Sequence, residues 1–66
     1  MYRNVDAELK RNGMTRADLG KALNIAPSTM SYKLNGKSDI TLQMAEQIKA
    51  ILGVDMSLEE LFEYTA

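Results

Sequence analysis

The residues with chemistry to offer lie between Met14 and Lys37, in the stretch MTRADLGKALNIAPSTMSYKLNGK. Hydroxyls, amides, cations and one phenol recur there, a set suited to holding a partner by hydrogen bonds and charge. Catalysis has little to work with. The chain contains no histidine and no cysteine, so thiolate or imidazole nucleophiles, thiolate or imidazole metal sites and disulfides are all excluded. Carboxylates alone can still do acid–base work. Here, however, Asp6, Asp18, Glu46 and the C-terminal acids each fit a helix-start or solvent-face role. No enzyme, cofactor or metal site is expected.

The net charge is −1, but the charges are segregated. From Lys10 to Lys37 the bases are Lys10, Arg11, Arg16, Lys21, Lys33 and Lys37, against Asp18 as the single acid. From Asp55 onward only acids occur: Asp55, Glu59, Glu60 and Glu63. Such asymmetry points to an anionic partner for the basic stretch. A charge run also serves simply to keep a helix solvated, and composition does not choose between the two.

The elements that must position these residues follow from periodicity and from start and stop signals. A first helix is expected from about Asn4 to Asn12, with Val5 and Leu9 inward, Tyr2 covering one end and Asn12-Gly13 as its stop. Thr15 caps a second, with Asp18 as a helix-start acid. Leu19, Ala22 and Leu23 are expected to share its inner face, and Asn24 closes it in the left-handed conformation. A third opens at Pro27, where a missing N–H costs nothing. Met30 and Leu34 supply its inward face, and Asn35-Gly36 ends it. The connection Gly36–Asp39 leads to Ile40, placed as a hydrophobic staple before the Thr41 cap.

The fourth helix, TLQMAEQIKAIL, is expected to bury Leu42, Ala45, Ile48 and Leu52, with Met44 and Ile51 on its flanks and Gly53 as its stop. Ser57 and Glu60 form a capping box for a last helix of roughly Leu58 to Tyr64. Its Leu58, Leu61 and Phe62 close this core or equally form part of a dimer surface. With no strand alternation anywhere, the fold class is all-α: five short helices in one domain, 1–66, near the lower size limit for an unaided core. No apolar run approaches the ~18 residues of a membrane span, and the start MYRNVDAELK lacks a signal-peptide core. A cytoplasmic setting is expected.

In order and spacing, NGMTRADLGKALNIAPSTMSYKLNGK followed by TLQMAEQIKAILGV resembles the helix-turn-helix domain of phage repressors and Cro-type regulators, the XRE or lambda-repressor-like family. Gly13, Thr15, Leu19, Ala22, Leu23, Ile25, Met30, Asn35, Gly36 and Leu52-Gly53-Val54 occupy family-like positions. The likeness covers nearly the whole chain and puts the helix-turn-helix unit at about 15–35. It implies that Pro27–Asn35 is the recognition helix, lying in a DNA major groove. Family base-contacting positions fall on Pro27, Ser28 and Tyr32. Phosphate contacts fall near the N-terminus of the second helix, at Thr15 and Arg16, and on Asn35 and Lys37; Lys33 is a further phosphate candidate.

The chain departs from the family at coupled positions. Many relatives carry glutamine where Arg16 and Pro27 stand, so the bracing pair of amides is absent. Pro27 offers a base only apolar contact, while Arg16 is placed to reach phosphate or a guanine edge. Some relatives pair a buried Arg with a Glu where this chain has Leu9 and Leu34, which are therefore expected to touch in the core. Lys33, where relatives often have an apolar residue, must extend outward or meet the DNA backbone.

The resemblance implies a sequence-specific repressor of phage or prophage type in a bacterium, nucleoid-associated. It would bind double-stranded DNA as a homodimer and act by operator occupancy. The rival on the same fold is a protein-interaction module, an antitoxin or phage accessory factor, working through the acidic last helix.

Overall fold

In the computed structural model, residues 1–64 are described, and all regular structure among them is helical. The expected 1–66 span therefore ends in two residues, 65 and 66, that lie outside the described residues. The helices are α1 (Arg3–Arg11), α2 (Arg16–Ala22), α3 (Pro27–Leu34), α4 (Leu42–Leu52) and α5 (Leu58–Leu61). None is long and apolar enough to cross a membrane.

The helix starts are local chemistry. The Asp18 N–H donates to Thr15 Oγ1 at 3.1 Å while the Thr15 N–H donates to Asp18 Oδ2 at 2.9 Å, a complete reciprocal cap for α2. Thr41 Oγ1 accepts from the Met44 N–H at 3.1 Å. At α5 the reciprocity differs from expectation. The Glu60 N–H donates to Ser57 Oγ, but the Glu60 carboxylate is met by the Ser57 hydroxyl at 3.3 Å and not by its N–H. Asn24 stops α2 at φ 60°, the one described non-glycine residue in the left-handed region, and its short polar side chain makes that conformation tolerable.

Val5 and Leu9 of α1, Leu19 of α2, Met30 and Leu34 of α3, Ile48 and Leu52 of α4 and Leu61 of α5 form one buried cluster. Each helix thus contributes to a shared core, which short helices need because they are marginal in isolation. Leu9 and Leu34 both belong to it. Leu61 is fully buried, while Leu58 and Phe62 are half-buried. Asn4 Nδ2 donates to the Glu60 carbonyl at 2.6 Å, tying α1 to α5.

Three further expectations are corrected. Ala22 is exposed, and Gly20 is buried in its place. A Cβ at position 20 would sit 2.7 Å from the Ile25 carbonyl oxygen and 3.3 Å from Met30 Cβ, so the α2–α3 turn closes over a residue without a side chain. Leu42 is 68% exposed. It occupies the first position of α4, at the rim of a groove that it lines with Tyr2, Ile40, Leu58 and Phe62, and burial begins only at Ala45. The last helix ends at Leu61, not Tyr64. Past it the chain turns so that Phe62 and Tyr64 both meet the Tyr2 ring edge-on, with centroids 5.6 and 5.3 Å apart. Aromatic pairs in this geometry are favourable by about 0.5–1.5 kcal/mol.

Candidate nucleic-acid interface

α3 is held from below and open above. Met30 and Leu34, four residues apart, are fully buried. The residues between them and at the helix start therefore point away from the core. Pro27, Ser28 and Thr29 are exposed, Tyr32 is 53% exposed, and Ser31 is half-buried. No acid occurs in α3. The exposed surface is thus a short row of hydroxyls and one phenol. Thr29 lies outward with them.

A shallow cleft runs between α2 and α3, lined by Ala17, Asp18, Lys21, Asn24, Ile25, Ala26 and Pro27. Lys21 and Asn24, which sequence reasoning did not place in the site, are exposed there. The signal was present: Ala17, Lys21 and Asn24 recur at i, i+4 and i+7, the face of α2 and its cap adjoining Pro27. Asp18 puts one carboxylate in the cleft. Its pKa lies below the usual 3.8, first because the Thr15 N–H donates to it and then through the Thr15 side chain, with nearby Lys21 adding to the effect.

Arg16 has partners inside the chain. Its Nε donates to Asp6 Oδ1 at 3.0 Å and its Nη2 to Asp6 Oδ2 at 2.8 Å, a bidentate pair between α2 and α1. Nη1 donates to Asn35 Oδ1 at 3.0 Å and to Ser31 Oγ at 3.2 Å, both on the third helix or its C-cap. Arginine is unfavourable at a helix start, a mismatch that called for an anion. Asp6 is one, ten residues away in sequence and read beforehand as a helix-start or solvent-face residue.

The remaining candidates divide. Lys37 is exposed just past α3, and its N–H donates to the Tyr32 carbonyl at 3.2 Å. Lys33 is half-buried, and its Nζ donates to the Asp39 carbonyl at 3.0 Å and to Ser38 Oγ at 3.4 Å. It extends along the turn after α3, with part of its donor capacity already engaged. The Thr15 oxygen accepts within its cap, leaving its O–H to donate elsewhere. The structure therefore brings Pro27, Ser28, Tyr32, Lys21 and Lys37 to the exposed side of the α2–α3 unit, and folds Arg16 and Lys33 back onto the protein.

A family model for the Cro/C1-type helix-turn-helix DNA-binding domain matches residues 4–66. No curated protein and no solved structure matches the chain.

Proposed function

The chain belongs to the Cro/C1-type helix-turn-helix DNA-binding family, and on that premise we propose that it is a sequence-specific transcriptional repressor of phage or prophage type. The observation that carries the reading is the acid-free outer face of α3, with Ser28 and Tyr32 exposed above the buried Met30 and Leu34. A major groove admits one α-helix and presents a distinct donor and acceptor pattern for each base pair. Ser28 donates to or accepts from a base edge, Tyr32 adds a phenol, and Pro27 gives apolar contact to a thymine methyl. Lys21, Lys37, Thr15 and Asn35 hold the phosphates on either side, with Lys33 supplementing them. These contacts set affinity and register, while the base contacts discriminate.

Repression follows from occupancy of an operator near a promoter, in the cytoplasm of a bacterial host. The reading includes a homodimer, and the size of one copy supports it. The molecule measures 26 × 24 × 20 Å, whereas successive major grooves on one side of the duplex are about 34–36 Å apart. One copy reads one half-site, so a site of two half-sites needs a second copy.

The test is selection from a random duplex pool, with recovered sequences compared at two salt concentrations. The expected result is a two-half-site palindrome whose affinity falls steeply with salt. A single enriched half-site would remove the dimer and keep the reader. Salt-sensitive binding without enrichment would remove the sequence-specific function.

A further inference from the structure

Arg16 has five N–H donors, and the structure gives four contacts to them. Two go to Asp6, one to Asn35 and one to Ser31. Its side chain is 23% exposed and that of Asp6 33%. The charge is matched by a bidentate carboxylate, so this arginine adds little to the net attraction for phosphate. Its effect on α3 is directional. Because Asn35 Oδ1 faces the guanidinium, the Asn35 Nδ2 and its two N–H groups must point the other way. Because Ser31 Oγ accepts from Nη1, its O–H is left to donate elsewhere. Both α3-side partners, each half-buried, are left with donors to offer, and an acceptor is what a phosphate oxygen or a purine N7 presents.

We propose that Arg16, anchored by Asp6, is a positioning residue for DNA recognition: it fixes the outward donor orientation of Asn35 and Ser31 and makes no phosphate contact of its own. The inference rests on the DNA-binding reading above and deepens it. α1, far from the recognition helix in sequence, thereby sets the angle and polarity of the surface that meets DNA. A lysine at position 16 would keep the charge and lose the fork, since an ammonium cannot hold a carboxylate bidentately while reaching two further acceptors in one plane.

The experiment uses the full chain and the operator selected for the parent protein. Arg16→Gln, Arg16→Lys and Asp6→Asn are compared for affinity on the operator and on a scrambled duplex across a salt series, with a thermal melt for each. In the free protein, NMR follows the Asn35 side-chain amide and the Arg16 Nε–H. All three variants should lower the operator-to-scrambled ratio about tenfold, the scale of one mismatched base pair, through the misdirected Ser31 donor, and should weaken binding to both duplexes through the misdirected Asn35 amide. The slope of log affinity against log salt should stay at the parent value. Asp6→Asn should shift the Asn35 amide even without DNA, and Arg16→Lys covers the case in which Arg16→Gln fails to fold.

Three results overturn the inference. A preserved ratio with a slope shallower by about 0.9 in Arg16→Gln makes Arg16 a direct phosphate contact. A raised ratio in Asp6→Asn means that Asp6 competes with DNA for the guanidinium. An unmoved Asn35 amide in Asp6→Asn removes the orienting role whatever the DNA data. If the parent selects no sequence at all, the DNA reading fails instead, and the amide shift still decides whether Asp6 and Arg16 orient Asn35.

Discussion

Substituting Gly20 by alanine isolates the contact on which the helix-turn-helix geometry depends. Alanine is the better helix former by about 1 kcal/mol, and position 20 lies inside α2, so local propensity alone predicts a more stable protein. The tertiary structure predicts the reverse. The added methyl would sit 2.7 Å from the Ile25 carbonyl oxygen, and Ile25 is fixed in turn by its N–H donating to the Gly20 carbonyl at 2.7 Å. The clash is with backbone, so no side-chain rotation relieves it, and Met30 Cβ at 3.3 Å blocks the other direction. Overpacking of this kind costs about 1–3 kcal/mol, and rigid neighbours put it in the upper part of that range. With the propensity gain subtracted, Gly20→Ala should destabilise by about 1–2 kcal/mol. For a chain this small, with a urea slope of about 1 kcal/mol/M, the unfolding midpoint should fall by roughly 1–2 M. Ala22→Gly, on the exposed face of the same helix, measures the propensity term alone. Adding that term to the Gly20→Ala loss gives the steric cost directly. A Gly20→Ala protein as stable as the parent would show that α2 and α3 tolerate separation, and the close-approach argument would fail.

Other substitutions probe the site and its scaffold separately. Lys21→Ala and Lys37→Ala should weaken binding to all duplexes alike and each lower the salt slope by about 0.9, measured by fluorescence anisotropy on operator and scrambled DNA. Tyr32→Ala should relax the selected sequence while leaving the melting temperature near the parent value, because the ring is 53% exposed; repeated selection from the random pool reads this out. Asp18, whose carboxyl is held below its ordinary range by Thr15, supports folding above its unfolded pKa. That support disappears as pH falls through the lowered folded value. The stability gap between parent and Asp18→Asn should therefore narrow as pH falls below the ordinary 3.8 in urea titrations, and a constant gap would show that the cap does not depend on ionisation.

How far the molecule was legible in its sequence depends on the range of the interaction concerned. Thr15, Pro27, Thr41 and Ser57 mark helix starts, and Asn24 and Gly53 mark stops, through bonds and dihedrals within a few residues. Such features are written locally, so all five helices and the inward Met30–Leu34 pair could be read in advance. The resemblance of the Met14–Lys37 frame carried the family assignment, and the outward residues of α3 followed from its period.

What failed were questions about neighbours. Periodicity says which residues share a face, but not how far along a helix the partner layer extends. Leu42 therefore read as core although the cover stops short of it, and Ala22 as inward although the turn at Ile25 closes over Gly20. Arg16 read as a free cation because Asp6 lies ten residues away in another helix. Only the packing of α1 against α2 and α3 brings that carboxylate, Ser31 and Asn35 around one guanidinium. The sequence by itself determined the elements and the chemistry carried by each. The tertiary structure alone decided which charges meet each other and which remain exposed, because pairing depends on distances in space that a linear period does not encode.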